Sequence, residues 1–398
     1  MPRKLCRLLV VSHVIHYRHV GELYAYGPYA REMDVWADLF SEVLIGAPCR
    51  EERPPGDAIQ FTRSNISIAP QPETGGDTRA AKVLQLAKLP FLIWSLSKAM
   101  RSADAIHVRC PGNLGLLGVV LAPLFCRRLI AKYAGQWTGY AGEPLTVGLQ
   151  RALLRSRWWR GPVIVYGTWP NQPAHIVPFF TSIMTNQQMK RARRSSSARD
   201  AFSDPIRVLY VGRLSQSKNV HVLLSALSTL SSEGIKLRCD IVGDGPHRAT
   251  LENQARELGV NDLVLFAGAQ DFEHALSFYE RNDVLVLASQ TEGWPKAIAE
   301  AMAFGLVCIG SNRGLIPEML GEGRGLVVPP GDVQALSTVL RDIAVAPERY
   351  YEMRVRAAEW SQRFALESLR DALCQLLEAR WQVSLASYGP IQESITHT

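Results

Sequence analysis

The sequence predicts an α/β protein of two doubly wound, Rossmann-like domains that face each other across a cleft. The chain has 398 residues, and this length favours two domains of about 150–200 residues each. Its second half alternates short, almost wholly apolar runs with helical patterns, as expected for a parallel sheet covered by helices on both faces. The runs that we predict as strands of this sheet are 206–211, 237–242, 263–266, 284–288, 306–309 and 326–328.

The first half shows the same alternation less clearly, with predicted strands at 8–11, 43–45, 105–108, 129–132 and 163–166. A polar, Ser-rich stretch without apolar periodicity separates the halves and predicts a linker. We therefore expect a first domain at 1–189, a linker at 190–204 and a second domain at 205–360. A helical segment at 361–384, able to pack back on the first domain, and a polar tail at 385–398 follow.

Composition excludes several classes of protein. Hydrophobic residues make up 47% and charged residues 20% of the chain, which is typical of a globular protein. The seven cysteines are scattered without a C-x-x-C pair, which favours a reducing cytoplasm. The longest uncharged apolar stretch, 113–126, is shorter than the roughly 20 residues of a membrane-spanning helix. The basic start leads into a short apolar run, which we interpret as the first strand.

Charge is distributed unevenly. Up to and including residue 200, Lys and Arg outnumber Asp and Glu by 26 to 13, whereas the numbers after it are 18 and 24. A basic first half favours contact with an anionic membrane surface; nucleic acid is disfavoured because no binding motif accompanies the charge. The segment 80–101 mixes basic and apolar residues at rough helical spacing, interrupted at Pro90. It predicts either a helix lying peripherally on the inner face of the plasma membrane or a buried helix with snorkelling lysines.

Two cations follow the first predicted strand of the second half. Gly212 and Arg213 lie in the turn after 206–211, and Lys218 enters the next predicted helix. Ligands of doubly wound sheets bind outside the carboxyl ends of the strands, where two cations can hold a diphosphate and stabilise the charge that develops on it. The alternative is a solvated turn with a basic helix start.

Two further loops follow predicted strands. Gly243, Asp244 and Gly245 would let the backbone approach a ligand, although the same triplet is an ordinary tight turn. The loop after 284–288 carries Glu292 and starts a helix at Pro295. The small apolar residues around Glu300 on that helix make its carboxylate costly to bury without a hydrogen-bonding partner, for which sugar hydroxyls are suitable. Free amides at the helix start, around Trp294 and Lys296, could take a phosphate or a polar sugar edge. Gly293 and Pro295 belong to the same candidate donor-binding loop.

In the first half, His107 and Arg109 end the predicted strand 105–108 near the expected cleft edge. Either could face a reacting group, although a lone strand histidine is more often structural. No D-x-D motif and no cluster of His and Cys residues indicates a metal site.

Together these motifs resemble family 4 of the retaining GT-B glycosyltransferases, whose second domain is the glycosyl transferases group 1 domain. The resemblance covers about 205–332 and includes the basic turn, the G-D-G-P turn and the E-x7-E pair in the family's order. It implies that Arg213 and Lys218 hold the diphosphate of a nucleotide sugar, Glu300 the ribose, and Glu292 with the following loop the donor sugar. It also implies metal independence, no cofactor, and retention with the departing phosphate taking the acceptor's proton.

Two departures concern the first half. Many relatives carry a Gly-Gly turn after the first strand, where this chain offers only Gly21, and many carry a histidine where this chain has Arg109. His107 lies two positions earlier, so it does not simply inherit that role.

We therefore predict a hexosyltransferase of polysaccharide or glycoconjugate biosynthesis that acts on a saccharide or lipid-linked acceptor. Two alternatives remain open at this stage: a sugar-nucleotide epimerase of GT-B architecture and a non-catalytic nucleotide-sugar-binding scaffold.

Overall fold

The computed structural model describes residues 7–74, 79–139, 143–182 and 184–385. The chain forms two compact units, one of Met1–Ile183 with Leu366–Thr398 and the other of Met184–Ala365. Each unit has its own parallel sheet with helices on both faces, which confirms the predicted fold class.

The first unit is built on a seven-stranded parallel sheet of order β11-β10-β9-β8-β1-β4-β7. A second, four-stranded sheet of order β5-β2-β3-β6 follows β1 and was not predicted. The strands are β1 (Arg7–Val11), β2 (His16–His19), β3 (Glu22–Tyr26), β4 (Glu42–Ala47), β5 (Cys49–Arg50), β6 (Ala58–Gln60), β7 (Ile66–Pro70), β8 (Ala105–Cys110), β9 (Leu129–Tyr133), β10 (Val163–Tyr166) and β11 (Ile176–Phe179).

Alternate strand residues point to opposite faces of the seven-stranded sheet and form two separate cores. Leu8 and Val10 of β1 pack on the face that carries the first helix, whereas Leu9 and Val11 pack on the face that carries the next three. These helices are α1 (Gly27–Ala37), α2 (Arg79–Arg101), α3 (Asn113–Phe125) and α4 (Leu145–Arg155). Helix α2 continues through Pro90, so the predicted interruption there was wrong.

The second unit has a six-stranded parallel sheet of order β14-β13-β12-β15-β16-β17. Strands β12 and β15 are neighbours although two strands intervene in sequence, so the strand order reverses between them. The strands are β12 (Arg207–Val211), β13 (Arg238–Val242), β14 (Val264–Gly268), β15 (Val284–Leu287), β16 (Val307–Ser311) and β17 (Leu326–Val328).

Helices cover this second sheet and close the chain. They are α5 (Asn186–Ser197), α6 (Val220–Ser232), α7 (Arg248–Glu257), α8 (Phe272–Arg281), α9 (Lys296–Ala303), α10 (Ile316–Leu320), α11 (Val333–Val345), α12 (Tyr351–Ser361) and α13 (Leu366–Trp381), with short 3-10 turns at Gln216–Lys218, Asn261–Leu263 and Pro347–Tyr350. Helix α13 belongs to the first unit, where Leu369 and Leu373 join the core beside α1.

The predicted linker differs from the structure. Most of 190–204 lies in α5, which belongs to the second unit and buries Met189 and Ala192. A capping box formed by Thr185 and Gln188 starts this helix, and T-x-x-Q is a helix-start pattern that the Ser-rich composition obscured. The predicted polar tail lies outside the described residues except for Leu385. Within the described part of the chain, no helix has the length and apolar character needed to cross a bilayer.

Candidate active site

The carboxyl ends of β12 and β15 carry two loops that hold each other by hydrogen bonds. The amide of Gln290 donates to the carbonyl of Ser217 at 2.8 Å, and Nδ2 of Asn219 donates to the carbonyl of Ala288 at 2.9 Å. This is the position where strand order reverses, which is the usual ligand site of doubly wound sheets. The two motifs that we predicted on separate grounds therefore form one rim.

Lys218 and Glu292 are the closest charged pair of this rim. The ammonium of Lys218 donates to Oε1 of Glu292 at 2.6 Å, with 26% of the lysine and 10% of the glutamate side chain exposed. Lys218 ends the 3-10 turn Gln216–Lys218, whereas we had expected it to enter the next α-helix, which begins only at Val220. Asn219 follows it at φ 52° and interrupts the helical path, a conformation that asparagine tolerates better than most residues.

Glycines allow the backbone after β12 to touch the backbone after β13. A Cβ atom on Gly243 would lie 2.0 Å from the carbonyl oxygen of Gly212, and one on Gly245 would lie 2.4 Å from that of Leu214. Gly212 also donates its amide to the carbonyl of Val242 at 3.0 Å. These glycines are therefore needed for the close packing of the two loops, in addition to the ligand contact that we expect of them.

Arg213 and Asp244 are exposed on these same two loops. The hydroxyl of Tyr210 donates to the carbonyl of Arg213 at 3.0 Å and so fixes the backbone of the turn. The amide of Gly245 and the guanidinium of Arg248 donate to Asp244, at 2.7 and 3.1 Å, and these bonds lower the pKa of its carboxyl group. Asp244 thus has a local partner, and Arg213 presents its charge to solvent.

The loop after β15 is braced from two sides. Trp294 stacks on Trp360 with ring centroids 6.2 Å apart and meets Phe364 edge-on at 5.4 Å. On the other side, a Cβ atom on Gly314 (φ 57°) would lie 1.9 Å from the carbonyl oxygen of Glu292. Helix α9 begins at Lys296, one residue after the predicted start, so Gly293 and Pro295 lead into its first amides.

Glu300 is buried on α9, and its Oε2 accepts a hydrogen bond from the hydroxyl of Tyr279 at 2.7 Å. Burial and then the charge of Glu300 raise the pKa of Tyr279 well above its usual range, so the phenol remains a donor. We had expected a ligand to supply the hydrogen-bonding partner of the Glu300 carboxylate. For Oε2 that partner is Tyr279 of α8. Tyr279 was not among the residues that we predicted.

The first unit has its own charged cluster at the carboxyl end of its sheet. Glu32 of α1 accepts from Arg109 at 2.6 Å and from Lys132 at 2.8 Å, and all three side chains are buried. Burial lowers the pKa of Lys132 to about 8. Burial alone would raise the pKa of Glu32, but the two cations outweigh it and hold that pKa far below the usual range. Arg109 is therefore positioned by an acid that we did not predict.

His107 does not lie at an exposed edge, contrary to our expectation. Its ring is fully buried against Trp36, with ring centroids 4.3 Å apart, and among the described residues neither ring nitrogen has a hydrogen-bond partner. Burial, and then the charge of Arg109, hold the pKa of His107 well below its usual value. The side chain points into the core beside α1 because residue 107 alternates along β8 with Ile106 and Val108, which face the core on the other side of the sheet.

Gly21 and His13 follow β1 in the first unit. Gly21 (φ 81°) and Val20 (φ 51°) form the turn between β2 and β3, so this glycine serves a hairpin. His13 lies at the carboxyl end of β1, where a Cβ atom on Gly112 would be 2.7 Å from its Nδ1. Partial burial and the charge of Arg109 lower the pKa of His13. His13 lies two residues after a predicted strand, and that position could have identified it.

Residues 192–360 match the family model described as glycosyl transferases group 1. All the predicted residues of the second half lie inside this match. Among the described residues, no group of three or more His, Cys, Asp or Glu side chains is arranged to hold a metal ion.

Curated relatives include the amylovoran biosynthesis glycosyltransferase AmsK of Erwinia amylovora, which is 28% identical over 56% of this chain and 55% of its own length. The putative glycosyltransferase EpsF of Bacillus subtilis is 35% identical over 34% of each chain. The chain thus spans about half or less of the length of these relatives.

Solved structures resemble the chain over almost its whole length. Sucrose-phosphate synthase from Thermosynechococcus elongatus has a TM-score of 0.67 at 20% identity and covers 95% of this chain and 99% of its own. HepE from Anabaena, solved with UDP and glucose, has a TM-score of 0.66 at 17% identity and covers 94% and 100%. At such identities the likeness concerns the fold. The chain therefore has the GT-B fold, and its residues 192–360 match the glycosyl transferases group 1 family.

Proposed function

We propose that this chain is a family 4 glycosyltransferase that moves a hexosyl group from a nucleoside-diphosphate sugar to a saccharide or lipid-linked saccharide acceptor. The observation that carries the proposal is the 2.6 Å contact of Lys218 with Glu292, which joins the loops after β12 and β15 where strand order reverses. AmsK and EpsF, named above as glycosyltransferases, support the same reading, and AmsK favours a role in polysaccharide biosynthesis.

Charge explains why the two cations belong to the reaction. When the glycosidic bond of the donor breaks, the leaving nucleoside diphosphate gains negative charge. Arg213 is exposed and Lys218 is partly exposed on the same turn, so both can meet the phosphates. Fixed cations stabilise the transition state more than the ground state, because the charge is greatest there.

Glu292 has two roles in this proposal. Without donor it holds the ammonium of Lys218 in place, and with donor its second oxygen accepts hydroxyl groups of the sugar. Glu300 takes the ribose through its carboxylate, which the hydroxyl of Tyr279 positions. The glycine-lined backbone after β12 and β13, with the first amides of α9, contacts the remaining polar atoms of the donor.

Transfer retains the anomeric configuration in this proposal, and the departing phosphate takes the proton of the acceptor hydroxyl. No side chain then acts as a nucleophile, and no metal ion or cofactor is required. Full activity in EDTA and an NMR spectrum of an α-linked product from an α-linked donor are the expected results. Loss of activity in EDTA with recovery on adding Mg²⁺ would refute metal independence.

The test of the two cations is substitution of each by alanine. We expect Arg213→Ala or Lys218→Ala to lower kcat/KM by about 30- to 1,000-fold, or ~2–4 kcal/mol, by comparison with the loss of one oxyanion donor. Lys236→Ala is the matched control, because Lys236 is an exposed cation of the same unit that precedes β13, at the amino end of the sheet rather than the carboxyl end. Unchanged turnover in both site variants would refute the assignment.

The same assay separates the two alternatives. An epimerase would convert the nucleotide sugar without any acceptor, whereas a transferase requires one. A scaffold would bind the donor without turnover. A thermal-shift panel of UDP-, GDP- and ADP-sugars comes first, because it identifies the donor for both measurements.

A further inference from the structure

We infer that the helix layer formed by α2, α3 and α4 is an interfacial surface for an anionic lipid bilayer. This inference concerns a surface of the first unit and stands independently of the proposed chemistry. The sequence predicted membrane contact through the segment 80–101 alone, whereas the surface that we infer is made by three helices.

Exposed apolar side chains are concentrated in this layer. Of the sixteen large hydrophobic side chains that are exposed among the described residues, nine lie in or directly after these three helices. They are Leu89, Phe91, Ile93, Trp94, Val120, Leu124, Leu145, Leu149 and Trp158. Single exposed hydrophobic residues are ordinary, but such concentration marks an interaction surface.

The three helices form one continuous layer. Helix α3 packs against both α2 and α4, and all three bury their inner residues in the same core on one face of the seven-stranded sheet. Nε1 of Trp158 donates to the carbonyl of Val119 at 3.0 Å, which places the end of α4 against α3. The apolar side chains above therefore project from the outer side of a single layer.

Helix α2 has the residue pattern of an interfacial helix. Phe91, Trp94, Lys98 and Arg101 follow one another at three- and four-residue spacing, so they share one face. Phe91 and Trp94 are 52% and 59% exposed, and the ammonium of Lys98 lies 5.5 Å from the centre of the Trp94 ring. An aromatic pair beside cations suits the boundary between lipid headgroups and acyl chains.

Charge selects an anionic bilayer over other partners. Six cations are exposed around the layer, namely Lys98, Arg101, Arg127, Arg155, Arg157 and Arg160, and none forms a salt bridge to a described residue. Between residues 87 and 128 the sequence has one acid, Asp104, and between 144 and 160 it has none. Glu143, at the start of α4, is paired with Arg151. Such a basic and apolar surface complements acidic headgroups above acyl chains.

The experiment is flotation of the full chain with vesicles of phosphatidylcholine, with and without 30% phosphatidylglycerol. We expect flotation with the anionic vesicles at about 0.1 M salt and a strong loss at about 0.5 M, because salt screens the attraction. The double substitution Lys98→Gln and Arg101→Gln should lower the partition coefficient roughly 25-fold, at about fivefold for each cation. The double substitution Phe91→Ser and Trp94→Ser should abolish flotation.

Leu265→Ser with Val327→Ser is the matched control, because both residues are exposed and apolar but belong to the second unit. This variant and Lys218→Gln should float like the unmodified chain, so a failed chemistry would leave this result unaffected. No flotation, or flotation unchanged by the substitutions on α2, would overturn the inference. So would a concentration-dependent dimer in sedimentation that Trp94→Ser abolishes while lipid binding is absent, because the surface would then pair two copies.

Discussion

Replacing Glu292 by glutamine should separate nucleotide binding from sugar transfer. In the structure the carboxylate of Glu292 neutralises Lys218 at 2.6 Å, so a diphosphate that approaches this ammonium also meets a carboxylate. At roughly 5 Å and an effective dielectric constant of about 20, that repulsion is about 3 kcal/mol. Solvent around Lys218, whose side chain is 26% exposed, reduces the expected effect to about 1–2 kcal/mol.

We therefore expect Glu292→Gln to bind a free nucleoside diphosphate roughly 5- to 30-fold more tightly than the unmodified chain. The same variant should lose sugar transfer, because an amide that no longer holds Lys218 also accepts sugar hydroxyls poorly. Isothermal titration calorimetry with the nucleoside diphosphate and a transfer assay measure the two effects. The reasoning is refuted if Glu292→Gln weakens nucleotide binding as much as Lys218→Gln does.

Two further predictions concern stability and are checked by urea unfolding. Glu32→Gln leaves Arg109 and Lys132 buried without an acid and should lower the free energy of unfolding by about 3–5 kcal/mol. Adding Lys132→Met should recover part of this loss. A loss below about 1 kcal/mol would contradict the buried cluster. Burial lowers the pKa of His16 from 6.5 to about 4, so the unfolded chain binds its proton first and stability falls as pH falls through this window. Between pH 7 and pH 5 the free energy of unfolding should fall by about 2 kcal/mol because of His16. The substitution His16→Phe should remove that part of the pH dependence. An equal pH dependence of unfolding in both proteins would show that His16 is not buried in its neutral form.

Strand positions in both sheets could be predicted because buried parallel strands are written as short apolar runs. The predicted run 163–166 coincides with β10, and 326–328 coincides with β17. The small four-stranded sheet could not be predicted in the same way. Its strands β2 and β3 contain His16, Tyr17 and Glu22 and lie partly exposed, so they lack the apolar pattern of the larger sheets.

The linker prediction failed because composition was weighed above local helix chemistry. Arg191, Arg193 and Arg194 make 190–204 look solvated, yet they project from a helix whose other face buries Met189 and Ala192. Arg191 is held by Glu280 of α8 at 2.7 Å. A stretch rich in arginine can therefore form a packed helix, because the acids that pair with it lie far away in sequence.

The rim of the candidate site was predictable where residues directly follow strands, and less so elsewhere. Arg213, Lys218 and Glu292 were found because the carboxyl ends of neighbouring parallel strands meet at one edge. Tyr279 lies in the last turn of α8 and Glu32 in α1. Their importance depends on the packing of helices against the sheet, which no local spacing reveals. The burial of His107 was missed for the same reason. The alternation of residues along β8 does not show that Trp36 of α1 covers this face of the sheet.

The most direct test of the central claim is calorimetric titration of the full chain with UDP, GDP and ADP, beside the variants Lys218→Met and Lys236→Met. If the loops after β12 and β15 hold a nucleotide sugar through its phosphates, at least one nucleotide binds with micromolar-range affinity, Lys218→Met abolishes that binding and Lys236→Met preserves it. Binding of no nucleotide by the folded chain, or equal binding by both variants, would contradict the claim.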